Sequence, residues 1–186
     1  IVFNISDDAK FNQVALAVFR HQAETVEVYK KYINYLKINV NSISTYRDIP
    51  FLPIQFFKTQ NILEQGLQPQ ITFTSSGTTG MINSQHHVPD LSWYEESFRK
   101  AFELFYGSIK DIAILALLPN YLEREGSSLI YMVDDLIKSS EQAESNYFLY
   151  NHKELFESLS SLKTKGTKTI LIGVTYALLD FIDTYK

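Results

Sequence analysis

The chain has 186 residues, 17 Lys plus Arg against 21 Asp plus Glu, 45% hydrophobic residues and no cysteine. At roughly 100–200 residues per domain this is enough for one sizeable core, and the apolar content is too high for a disordered chain. The net charge of −4 argues against a general nucleic-acid binder, and the absence of Cys removes disulfides, thiolate metal sites and a cysteine nucleophile.

From Ser6 to about Leu36 the periodicity is helical. Phe11, Val14, Ala15, Val18 and Phe19 recur at three- and four-residue steps, and Val26, Tyr29, Ile33 and Leu36 resume the pattern. Ser6, Asp7 and Asp8 form a helix start, and the length predicts two helices with a joint near Glu24–Thr25. In the following stretch, Ile49-Pro50-Phe51-Leu52-Pro53-Ile54-Gln55-Phe56-Phe57, two prolines break the helical period and predict an extended, buried segment.

After Gly66 strands alternate with helices. Strands are predicted at Ile71–Thr74, at Gln85–Val88, over the continuous apolar run Ile112–Leu118, at Tyr147–Tyr150 and at Thr169–Gly173. A helix with Tyr94, Phe98, Ala101, Phe102 and Phe105 on its apolar face starts at Asp90 or Ser92 and stops at Gly107. Others run over about Ser127–Lys138, His152–Leu162 and Tyr176–Tyr185. The expected fold class is therefore α/β: a helical N-terminal segment (1–66) followed by an α/β portion (67–186) with a layered, mostly parallel sheet and flanking helices. In such sheets ligands bind beyond the carboxyl ends of the strands, which would line the loops after Thr74, Leu118 and Gly173 along one edge.

The charge-free runs around Ile112–Leu118 and Thr169–Leu179 are far shorter than the ~20 apolar residues a bilayer requires, so no membrane span is expected. Residues 1–8 show no basic region followed by an apolar run, so no signal peptide is visible and the cytoplasm is the default location.

The segment Thr74-Ser75-Ser76-Gly77-Thr78-Thr79-Gly80 carries the chemistry. Seven small or hydroxylated residues directly after an apolar strand offer backbone N–H groups, several O–H donors and two glycines that tolerate close approach. Such a loop suits a phosphate chain, although an ordinary Ser/Thr-rich turn has the same composition. It is neither a Walker A loop, since no Lys follows at the required spacing, nor a G-x-G-x-x-G loop.

The string Ser76-Gly77-Thr78-Thr79-Gly80 after a strand resembles the phosphate-binding loop of the adenylate-forming superfamily, whose pattern continues with Pro and Lys where this chain has Ile82 and Asn83. A narrower resemblance is to the acyl-protein synthetase (LuxE-like) branch. It is carried by Ile49-Pro50-Phe51-Leu52-Pro53-Ile54 with Phe56-Phe57-Lys58, by the loop itself, by Leu117-Leu118-Pro119-Asn120-Tyr121-Leu122-Glu123-Arg124 with Gly126-Ser127-Ser128-Leu129, and by Leu171-Ile172-Gly173-Val174 with Ala177-Leu178-Leu179-Asp180-Phe181.

The resemblance implies ATP-dependent activation of a fatty or other carboxylate, with Mg²⁺, to an acyl-adenylate. The acyl group would then pass to a thiol on CoA, a carrier protein or an acyl reductase. Thr74, Ser75, Ser76, Gly77, Thr78, Thr79 and Gly80 would cradle the β- and γ-phosphates. Tyr121, Glu123, Arg124 and Ser128 would line the substrate site, although Arg124 paired with Glu123 or Glu125 would serve equally to fix the loop. The motifs that complete the nucleotide site, including the catalytic Lys, are expected downstream of Lys186. Residues 1–186 would then be an incomplete N-terminal adenylate-forming domain, inactive alone. The other open reading is an inert nucleotide- or acyl-binding scaffold that kept this fold.

His86 and His87, adjacent on a strand, point to opposite faces and read as a structural pair rather than metal ligands. His21 and His152 read as helix-surface or capping residues, and Asp134-Asp135 as a solvated helix face. No metal site is expected from the protein's own side chains.

Overall fold

A computed structural model describes residues 2–75, 82–118 and 126–185. The chain is α/β and divides into two compact units between Leu91 and Ser92.

In the first unit, α1 (Asp8–Thr25) starts at Asp7, whose carboxylate accepts the Lys10 N–H at 2.8 Å. The chain turns extended for one residue at Val26 before α2 (Glu27–Tyr35), one residue beyond the joint the sequence predicts. Phe19, Ala23, Val26, Tyr29 and Ile33 form the core of this helical pair, and Ile38, Val40, Ile43, Ile49 and Leu52 wrap over it. The Asn12 side chain pins that wrapping segment at both ends of its amide: its Oδ1 accepts the Tyr46 N–H at 2.7 Å and its Nδ2 donates to the Ser44 carbonyl at 3.2 Å.

The Ile49–Phe57 stretch departs from expectation. Ile49 is extended, but Phe56 opens a single helical turn, α3 (Phe56–Thr59), and Phe51 and Ile54 are exposed at 74% and 71%. Apolar composition does not ensure burial: with no regular ladder on either side, half of these side chains face water.

The unit ends in a hairpin of β1 (Ile71–Thr74) and β2 (Gln85–Val88), paired antiparallel with Ile71 opposite Val88 and Thr74 opposite Gln85. These two strands form their own sheet, separate from the parallel one. A parallel crossover needs roughly a dozen or more residues, and the link between β1 and β2 is too short for one.

In the second unit, α4 (Leu91–Tyr106) precedes a parallel sheet of β3 (Ile112–Leu117), β4 (Asn146–Tyr147) and β5 (Lys168–Gly173) in the spatial order β4-β3-β5. The connections are α5 (Ser128–Ser139) and α6 (His152–Lys165), and α7 (Thr175–Thr184) follows β5. Every residue of β3 is buried. Ala113, Leu115 and Leu117 join Leu155 and Leu162 of α6 and Ala177 and Phe181 of α7 in one cluster. On the opposite face Ile112 and Ile114 meet Phe102 of α4 and Leu136 of α5, while Ala116 and Leu118 meet Val133 of α5. A right-handed crossover that steps to one side of β3 and a second that steps back past it must carry their helices on opposite faces, as α5 and α6 do.

Two expectations change here. The strand predicted at Tyr147–Tyr150 is only the pair Asn146–Tyr147, extended by one bond from the Phe148 N–H to the Ala116 carbonyl at 2.7 Å. In α4 the inward face is Phe98 and Phe102, whereas Ala101 and Phe105 point outward. At about 100° per residue Ala101 and Phe105 fall within roughly 20° of Tyr94, so angular position around the helix does not by itself decide which of these side chains is covered. Among the described residues no helix is long and apolar enough to cross a membrane.

Candidate functional site

The candidate phosphate loop belongs to the segment that joins the two strands of the hairpin. At the end of β1 that leads into it, Thr74 is half-buried and Ser75 exposed. The Ser75 N–H donates to the Ser84 carbonyl at 3.0 Å, and the Ser84 N–H donates to the Ser75 hydroxyl oxygen at 2.9 Å. This double link closes the ladder one residue past β1. The Ser75 hydroxyl proton is left to donate elsewhere. Ser76, Gly77, Thr78, Thr79 and Gly80 lie outside the described residues, and after them Ile82 and Asn83 are exposed.

Behind this end, the two histidines behave as the strand alternation predicts. His87 Nδ1 pairs with the Thr72 hydroxyl directly across the ladder at 2.8 Å. His86 lies on the other face and stacks on Phe57, with ring centroids 5.9 Å apart and planes inclined by 27°. Lost hydration there, together with the neighbouring His87, holds the His86 pKa below its ordinary 6.5. A histidine whose folded pKa is depressed favours the fold while neutral. That stability is present above the unfolded value and fades as pH falls through the folded one. Replacing His86 by Phe should therefore shrink the drop in melting temperature between pH 7.5 and pH 5, and an unchanged drop would show that other groups carry it.

The parallel sheet offers a second locus. Its strand order makes the boundary between β3 and β5 a switch point. The chain leaving β3 passes to α5 on one face, and the chain leaving β5 passes to α7 on the other. A crevice opens at the carboxyl ends of two such strands, and ligands of open α/β sheets bind there. The carboxyl ends of β3 and β5 lie side by side, because Leu117 pairs with Gly173. Thr74 belongs to the hairpin sheet and not to this one.

Of the candidate substrate residues, Tyr121, Glu123 and Arg124 lie outside the described residues. Ser128 is the exposed first residue of α5, and its carbonyl accepts the Tyr94 hydroxyl at 3.1 Å. The adjacent Ser127 caps that helix by accepting the Ile130 N–H. At the other wall of the crevice, a β-carbon on Gly173 would come within 2.8 Å of Leu178 Cγ and 3.0 Å of the Leu117 carbonyl. Gly173→Ala should push β5 and α7 apart and destabilise by about 1–3 kcal/mol, the usual magnitude of overpacking. A melting temperature unchanged by the substitution would show that Leu178 simply rotates away.

The remaining sequence candidates are engaged in structural contacts. His21 pairs with Glu64 at 2.9 Å, and His152 at the start of α6 lies 3.8 Å from Asp180 and edge-on to Phe181. Asp134 binds Lys138 one turn on, while Asp135 receives the Arg99 guanidinium through both Nε, at 2.9 Å, and Nη2. Arg99 also faces Glu95 at 3.3 Å, and Glu95 accepts the Tyr131 hydroxyl at 2.5 Å. That bond, with partial burial, pushes the Tyr131 pKa up to about 12, so the phenol remains a donor. Asp135 is thus half of a clasp between α4 and α5, not the plain solvated face its neighbours suggest. The Glu95-to-Arg99 spacing was the available signal, but the partner on α5 was not.

Sequence reasoning missed one feature entirely, an apolar cavity of about 410 Å³ in the first unit. No family model, no curated protein and no solved structure matches the chain.

Proposed function

We propose that the protein takes part in ATP-dependent carboxylate activation, and that 74–80 is its phosphate-binding loop. The observation that supports this reading is the run Thr74-Ser75-Ser76-Gly77-Thr78-Thr79-Gly80, which follows β1 in the segment that joins it to its antiparallel partner β2. In the proposed reaction a carboxylate oxygen attacks the α-phosphate of ATP, the bond to pyrophosphate breaks and an acyl-adenylate forms. A thiolate then attacks the acyl carbonyl and AMP leaves. The loop's N–H groups and the hydroxyls of Thr78 and Thr79 hold the β- and γ-phosphates and absorb the charge that develops on the departing pyrophosphate.

Among the described residues no group of three or more His, Asp or Glu is placed to hold a metal ion. In this proposal Mg²⁺ arrives on the nucleotide's phosphates, which with one or two carboxylates and waters are its usual ligands. The fatty or other carboxylate and the thiol acceptor belong to the same proposal, as do completing motifs beyond Lys186.

Ile82 and Asn83, where the adenylate-forming pattern has Pro and Lys, favour a second reading: a nucleotide- or acyl-binding scaffold without turnover. Carboxylate-dependent exchange of radiolabelled pyrophosphate into ATP by the full-length protein separates the two. Exchange above background with at least one member of an acyl panel supports activation. Background exchange across the panel with the fold intact leaves the scaffold. Robust exchange by residues 1–186 alone would refute the claim that essential motifs lie outside them.

A further inference from the structure

The cavity in the first unit is independent of the hairpin chemistry. Its length follows α1. Phe11, Val14, Ala15, Val18 and Gln22 line it at helical spacing, so at 1.5 Å per residue the wall runs roughly 16 Å. Val14, Phe19, Val26 and Tyr29 make a buried floor, while Phe11 and Val18 form a rim left 43% and 41% exposed.

The lining contains no Asp, Glu, Lys, Arg or His. Its two phenols are already committed: the Tyr29 hydroxyl donates to the Pro50 carbonyl at 2.8 Å, and the Tyr46 hydroxyl accepts from Arg47 Nε at 3.1 Å. Burial pushes the Tyr29 pKa up to about 12, which keeps it a neutral donor. The exposed amide of Gln22 is the remaining side-chain polar group on the wall.

A volume of about 410 Å³ falls within the roughly 300–1,000 Å³ of small-molecule sites, and an apolar cavity of about 150 Å³ already accepts benzene. A charged group pressed into this lining would lose its hydration with no partner to replace it. An elongated wall along one helix matches an extended chain better than a compact ring.

We propose that this trench is a binding site for an uncharged, single-chain hydrocarbon ligand, such as a long-chain alcohol, lying along α1 with its polar end at Gln22. Binding would cover the Phe11 and Val18 rim, which otherwise stays in water.

The test uses the full chain and the neutral probe N-phenyl-1-naphthylamine, whose fluorescence rises in apolar surroundings. Saturable uptake is expected, displaced by dodecan-1-ol at concentrations at least about tenfold lower than by cyclododecanol, which has the same carbon number. Ala15→Trp fills the trench, and Val18→Glu places a charge on its exposed rim. Each should weaken probe binding by at least about tenfold, whereas Ala17→Trp, on the exposed side of α1, should not.

If Ala15→Trp fails to fold, Val18→Glu at its exposed position still decides the matter. Absence of saturable uptake overturns the proposal, as does equal displacement by the cyclic and linear alcohols, or binding indifferent to both variants. Sedimentation gives the remaining outcome: a dimer dispersed by Val18→Glu, with no probe uptake by the monomer, would make the trench a self-interface and overturn the proposal too.

Discussion

Leu115→Ala should destabilise the second unit by about 2–5 kcal/mol, the range for truncating a fully buried leucine. Leu115 has no exposed surface and sits mid-strand in β3, among Leu155 and Leu162 of α6 and Phe181 of α7. Elements on three sides prevent collapse onto the missing methyls, so the upper half of the range is expected. Urea unfolding followed by the fluorescence of Trp93, the chain's one tryptophan, measures it. Leu104→Ala on the outer face of α4, 79% exposed, serves as the control and should move stability by less than about 0.5 kcal/mol. Equal small effects at both sites would mean that the sheet core is far looser than its burial implies.

The second large effect concerns activity. Thr79→Ala in the full-length protein should lower carboxylate-dependent ATP–pyrophosphate exchange on the order of 10- to 100-fold, because a hydrogen bond to a charged oxygen is worth roughly 1.5–3 kcal/mol. Melting temperature should barely move, and Thr79→Ser, which keeps the hydroxyl, should restore most of the exchange. Loss of exchange and stability in parallel, with no rescue by Ser, would identify the segment as an ordinary Ser/Thr-rich turn.

The helices were legible because their signals are local. Asp7 and Ser127 mark the starts of α1 and α5 through groups within one turn of each end, whereas the Gly166 stop of α6 went unread and its end was set three residues early, at Leu162. The full burial of β3 was legible for a similar reason, since a strand apolar at every position has no face to give to water.

What failed depended on distant partners. Nothing in Ile71-Thr72-Phe73-Thr74 says whether it joins a parallel sheet or folds back on Gln85–Val88; the length of the intervening segment decides. Tyr147–Tyr150 has strand composition, yet only its start meets a hydrogen-bonding partner. For the site, the sequence offered the loop by its composition and the sheet edge by the rule for parallel sheets. It counted β1 among the parallel strands because it could not see that β1 pairs only with β2. The trench along α1 was invisible, since the same Phe11, Val14, Ala15 and Val18 stripe describes a packed helix face equally well.

The strand order β4-β3-β5 also governs how the chain must assemble. Ile112 pairs with Lys168 and Leu117 with Gly173, so one whole side of the central strand waits for a partner that follows two helices and another strand. During synthesis β3, apolar at every position, emerges long before that partner and can pair meanwhile only with the two-residue β4. Closing so long a loop before its contacts form is slow, and an unpaired apolar strand is where aggregation begins. The pairing of β5 with β3 is therefore the step whose delay is expected to cost most refolded protein.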